Sequence, residues 1–165
     1  MSTSTWDLPD PFIHRLRARP ADLDAYNHVN NAVYVRWLDE CAWAHSTALG
    51  LPPESTVTTR RGMAVWRTQL NYLASAYEGD ELELGTWIVS SDRKLRCDRR
   101  FQLVRPADGR TLLRALLHYV CIDLDSGRPR RMPEEYSRAY GPLDTVVAAL
   151  AADPTPFQPG VEPQA

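Results

Sequence analysis

With 165 residues, 44% of them hydrophobic and 24% charged, the chain has the make-up of one globular domain large enough to bury a core. A formal net charge of −2 excludes the basic footprint of a nucleic-acid binder, and no apolar run approaches the roughly 20 residues that span a membrane. Cys41, Cys97 and Cys121 are too few and too far apart for a zinc site, and without a signal-peptide core ahead of them they point to a reducing cytoplasm.

Residues 1–11 are polar and proline-bearing and read as a flexible N-terminal arm. Phe12 to Arg19 alternates apolar and basic residues, the period of a strand. A polar loop follows from Pro20 to Asn30. From Asn31 to Leu49 apolar residues such as Val33, Trp37, Leu38, Cys41 and Ala48 recur at helical spacing, with Asn30 as N-cap and Gly50 as the stop.

After Pro53 the pattern turns to strands, expected at Met63–Ala74, Glu81–Ser91, Lys94–Arg105 and Thr111–Asp123. Gly79-Asp80 and Asp108-Gly109 supply turns between them. Met132 to Leu150 reads as one or two short helices, and residues 151–165 as a disordered proline-rich tail. The order is strand, long helix, then four sequential strands. It predicts an α+β domain over 12–150, a five-stranded antiparallel sheet wrapped around one helix with a short helical extension.

The segment from Asp22 to Tyr34 carries the chemistry. It puts Asp22, Asp24, His28, Asn27, Asn30 and Asn31 around a helix N-terminus, where free N–H groups and the positive end of the dipole converge. A carboxylate base beside an oxyanion donor is a minimal acyl-transfer site, with the N–H of Asn31 as the candidate donor. The same residue types also serve as caps and Asx-turns, the role expected for Asp22 and Asn30. Gly-x-Ser-x-Gly is absent, against a serine hydrolase.

Three segments resemble the hotdog-fold thioesterases of the 4-hydroxybenzoyl-CoA thioesterase type. They are Asp24-Ala25-Tyr26-Asn27-His28-Val29-Asn30-Asn31-Ala32-Val33-Tyr34, then Asn71-Tyr72-Leu73-Ala74 leading to Glu78-Gly79-Asp80-Glu81-Leu82, and Cys121 to Pro133. The resemblance implies a homodimer with a continuous ten-stranded sheet and shared active sites, often paired again into a tetramer. It implies hydrolysis of an acyl-CoA or acyl carrier protein thioester, with Asp24 as general base or nucleophile and His28 beside it.

Tyr26 and Asn27 would touch substrate, and Ser91, Arg93, Lys94 and Arg96 would meet the pantetheine arm and phosphates. Arg60-Arg61 and Arg128–Arg131 are further basic clusters. The plant enzymes of the group have asparagine two residues after the aspartate, where this chain has Tyr26. No cofactor or metal, no nucleic acid and no membrane span are expected. A non-catalytic acyl-thioester binder or scaffold of the same fold is the alternative reading. A hydratase would need a differently spaced Asp/His pair.

Overall fold

The computed structural model describes residues 5–153. The helical spacing from Asn31 onward folds as α1 (Asn31–Ala48), and the Asn30 side chain accepts the Ala32 N–H at 2.9 Å to cap it. Its inward stripe of Tyr34, Trp37, Leu38 and Cys41 is buried. The strands are β1 (Phe12–Arg17), β2 (Arg61–Tyr72), β3 (Glu81–Ser91), β4 (Arg96–Arg105) and β5 (Arg110–Asp123). They form one antiparallel sheet in the order β1-β3-β4-β5-β2.

Period-two alternation then gives the sheet its inner face. Leu82, Leu84, Phe101, Leu103, Leu113, Ala115 and Leu117 share one core with α1, around which the sheet wraps. β1 and β2 are the outer strands. β2 is twelve residues long and leaves Val65 and Trp66 exposed along a free edge.

Three features depart from expectation. Pro53–Thr59 is a helix, α2, where strand character was expected from Pro53 on; Pro53 at its first turn and Arg60 in the left-handed region at its end bound it. The C-terminal stretch forms two helices, α3 (Glu134–Ala139) and α4 (Asp144–Ala152), so residues 151 and 152 belong to a helix.

The arm is not loose over residues 5–11. Leu8 is buried with Trp87 and Val146, the Trp87 indole N–H donates to the Pro9 carbonyl, and Asp7 pairs with Arg114 at 2.6 Å. An apolar strip on the outer face of β3 accounts for this docking, and α4 covers the same strip. Residues 1–4 of the expected arm and 154–165 of the expected tail lie outside the described residues.

Candidate active site

The loop between β1 and α1 is fixed by main-chain bonds before any catalytic role is considered. A 3-10 turn at Pro20–Asp22 leads into a tight hairpin closed by the Leu23–Val29 bridge, with Asn27 in the left-handed region that Asn tolerates. Val29 N–H donates to the Ala76 carbonyl at 3.0 Å, docking the hairpin on the β2–β3 connection.

Asp22 is buried and structural. Its carboxylate accepts the Arg19 N–H at 2.9 Å and pairs with Arg36 of α1 at 2.5 Å. Burial pushes this carboxyl up, yet the Arg19 bond and the Arg36 guanidinium outweigh it and hold it below the usual range.

Asp24 is half-buried at the mouth of the hairpin. Its Oδ1 accepts N–H groups from Tyr26 at 2.8 Å and His28 at 3.3 Å, an Asx-turn arrangement. Its Oδ2 accepts no hydrogen bond among the described residues. The carboxylate lines a cleft of about 250 Å³ with His28, Asn31, Tyr72 and Ser75. The Asn31 N–H, at the first turn of α1, also has no hydrogen-bond partner among the described residues. A carboxylate oxygen and a main-chain donor with spare capacity therefore border one space.

His28 meets Asp24 through its main chain only. Its ring Nδ1 lies 3.4 Å from the Ser75 hydroxyl and its edge contacts Tyr77. Tyr26 is 81% exposed, and Asn27 is exposed beside it. The Tyr34 hydroxyl accepts the Ala76 N–H at 2.9 Å, and Arg105 pairs with Asp80 while donating to the Ser75 carbonyl, so the far wall of the cleft is held from two sides. Tyr72 belongs to the second of the three resembling segments, but the sequence assigns no site role to it or to Ser75. Their signal is position alone, at and just past the end of the strand that faces the motif.

The basic turn lies elsewhere. Asp92 Oδ1 accepts three consecutive N–H groups, from Lys94, Leu95 and Arg96, and so shapes the β3–β4 turn. Ser91 Oγ accepts the Arg93 N–H, and the Arg93 guanidinium donates to the Ser137 carbonyl. Arg96 stacks over Trp66, and the Lys94 side chain is exposed.

Arg96 pairs with Val120 of β5, whereas the Asp24 cleft abuts the strand end bonded to Leu112. Eight residues of strand put the two roughly 26 Å apart. One chain does not bring the basic turn and Asp24 together. The other clusters are partly neutralised, Arg60 by Asp125 and both Arg61 and Arg130 by Asp123.

All three cysteines are free and buried, their thiols pushed up by burial to about 12, 12 and 11 at Cys41, Cys97 and Cys121. Among the described residues no cluster of metal-ligating side chains occurs, and no helix is long and apolar enough to cross a membrane.

Comparison with known proteins agrees with this architecture. The profile of the thioesterase-like superfamily matches residues 18–140, and the chain belongs to that family. The DHNA-CoA thioesterase of Staphylococcus aureus superposes with a TM-score of 0.74 at 19% identity, over 89% of this chain and 97% of that one. A 1,4-dihydroxy-2-naphthoyl-CoA thioesterase from Synechocystis gives 0.72 at 18% identity, over 79% and 96%. These likenesses define the hotdog fold. Protein THEM6 of Danio rerio is 37% identical over 89 residues, which are 53% of this chain and 43% of that protein. The match thus spans less than half of that relative. Thioester hydrolysis is the class of chemistry that family membership supports.

Proposed function

We propose that the protein hydrolyses an acyl-CoA or acyl carrier protein thioester to free acid and thiol, with Asp24 as the catalytic carboxylate. The observation that carries this reading is the shared cleft, bordered by Asp24 and by Asn31 at the start of α1. As general base, Asp24 takes a proton from a water whose oxygen attacks the carbonyl carbon. As nucleophile, it forms a mixed anhydride that water then opens. In either route the thiolate leaves and is protonated, and the Asn31 N–H faces the carbonyl oxygen as charge develops on it.

The twelve-residue free edge of β2 supports a homodimer built by antiparallel pairing of two such edges, and a tetramer as a pair of dimers. That pairing sets the far end of a second copy beside each Asp24 loop. Ser91, Arg93, Lys94 and Arg96 of that copy would then face the CoA phosphates, and Tyr26 and Asn27 the mouth of the cleft.

Thiol release from a series of acyl-CoA esters tests the reading. Asp24→Asn is expected to abolish turnover while far-ultraviolet dichroism and elution volume stay unchanged; full turnover in that variant removes Asp24 from the mechanism. The bonds from Asp24 Oδ1 to its own loop support a second reading, a non-catalytic acyl-thioester binder in which Asp24 is a turn-former. Calorimetric binding of acyl-CoA without thiol release would select it.

A further inference from the structure

Arg99 breaks the apolar register of β4. Alternation puts it on the same face as Cys97, Phe101 and Leu103, toward α1, and it is only 3% exposed. No carboxylate lies within 4 Å of its guanidinium among the described residues. Nη1 lies 2.6 Å from His45 Nδ1, the guanidinium carbon Cζ lies over the Tyr119 ring, and Nε is buried without a partner.

His45 cannot neutralise the charge, because burial, with Arg99 beside it, pushes the imidazole down to about 3 and leaves it neutral. A charged side chain is seldom fully buried without a counter-charge, since desolvation is costly.

Arg99 borders a cavity of about 60 Å³ between the second half of α1, α2, β5 and α3. Ala42, Trp43, Leu51 and Met63 give it apolar walls, and Asp39 on the exposed rim is the only acid of its lining. Asp39 makes no ion pair with Arg99, so the inner end is cationic. The space fits roughly four or five waters, the bulk of a short acyl group.

Met63 at the start of β2 borders this cavity, while Tyr72 to Ala74 border the Asp24 cleft. Nine residues of strand separate the two by roughly 30 Å within one chain. Antiparallel pairing of two β2 edges lays the start of one strand beside the end of the other. The cavity of one copy then extends the Asp24 cleft of its neighbour.

We propose that this cavity takes the acyl group, and that Arg99 makes it selective for a short acyl group bearing a carboxylate at its far end. This rests on the thioesterase reading and on the β2 pairing. Arg99 is a specificity residue here, remote from the reacting carbonyl.

Two measurements on the full chain test it separately from that reading. Calorimetry with pentanoate and pentanamide asks whether an acyl-sized anion seeks a buried cation. The anion is expected to bind at least about tenfold tighter, a gap that Arg99→Met closes. Equal binding of the two by the unaltered protein overturns the proposal, and needs no variant to fold.

Thiol release from glutaryl-CoA and pentanoyl-CoA asks whether the cavity serves turnover. The ratio of kcat/KM should favour glutaryl-CoA at least about tenfold and fall toward one in Arg99→Met. Hydrolysis of both esters with no preference overturns the selectivity and leaves the thioesterase reading standing. Tight pentanoate binding with no hydrolysis of either ester rejects the thioesterase reading, and with it the acyl role of the cavity.

Discussion

Tyr72 donates its hydroxyl to the main-chain carbonyl of Asn31 at 2.9 Å, joining the last residue of β2 to the first turn of α1. The same Asn31 carries the N–H proposed to face the thioester oxygen, so Tyr72 holds the helix end against the cleft. Tyr72→Phe keeps the ring and its edge contact with Tyr34 but frees that carbonyl. We expect kcat to fall by about 2–10-fold, the equivalent of one net hydrogen bond of about 0.5–1.5 kcal/mol, with a smaller change in KM. Steady-state thiol release checks it, and an unchanged kcat would relieve Tyr72 of a positioning role.

The two oxygens of Asp24 have different duties, and two substitutions separate them. Asn at this position retains an Oδ1 for the Tyr26 and His28 N–H groups, whereas Ala removes it. Asp24→Ala should cost about 1 kcal/mol of stability beyond Asp24→Asn, as loss of a capping side chain does, while both lose thiol release. Urea unfolding read by fluorescence measures the difference. Identical midpoints would mean that the loop bonds contribute nothing.

His45 gives stability a defined pH window. Its imidazole is held near 3 in the fold by burial and by Arg99, against an ordinary value of about 6.5 in the unfolded chain. Between those values the unfolded chain binds the extra proton. The contribution is therefore complete above about pH 6.5 and is lost progressively as pH falls toward 3. Asp22, also held low, adds its loss only below the ordinary carboxylate range. His45→Gln, which keeps a hydrogen-bond acceptor but does not titrate, should flatten the stability curve between pH 6.5 and 4. Denaturation midpoints across that range check the slope.

Gly85 makes room for the arm. A Cβ there would stand 2.6 Å from Cζ3 of Trp6, whose indole lies edge-on to Trp87 at 6.1 Å. Gly85→Ala must displace the indole, at a cost of about 1–3 kcal/mol for overpacking. A lower unfolding midpoint and a red-shifted tryptophan emission are expected. An unchanged spectrum would show that the docking of Trp6 adds little.

The type and order of the main elements were legible in the residues because each rests on local pattern. The 3.6 spacing from Val33 to Ala48 and the Asn30 cap survive in the structure. The alternation in β4 holds from Arg96 to Phe101 and then gives way to four buried residues, Phe101 to Val104, where the docked arm covers Gln102 on the outer face. α2 was missed because Pro53–Thr59 is rich in β-branched residues and buries none of its side chains, leaving no apolar stripe to read. Arg99 was passed over although the alternation of Cys97, Phe101 and Leu103 already placed it indoors.

What the chain could not disclose by itself is distance. Local spacing placed Asp24 and Asn31 at one helix end, since they are only seven positions apart in one short loop. Strand pairing alone determined that the basic turn and the Arg99 cavity stand far from Asp24 in the same chain, and that the arm finds an apolar strip on β3. Sequence patterns record which way a side chain faces along its own element. Which surfaces meet depends on burying apolar area across the whole sheet, and only the folded chain settles that.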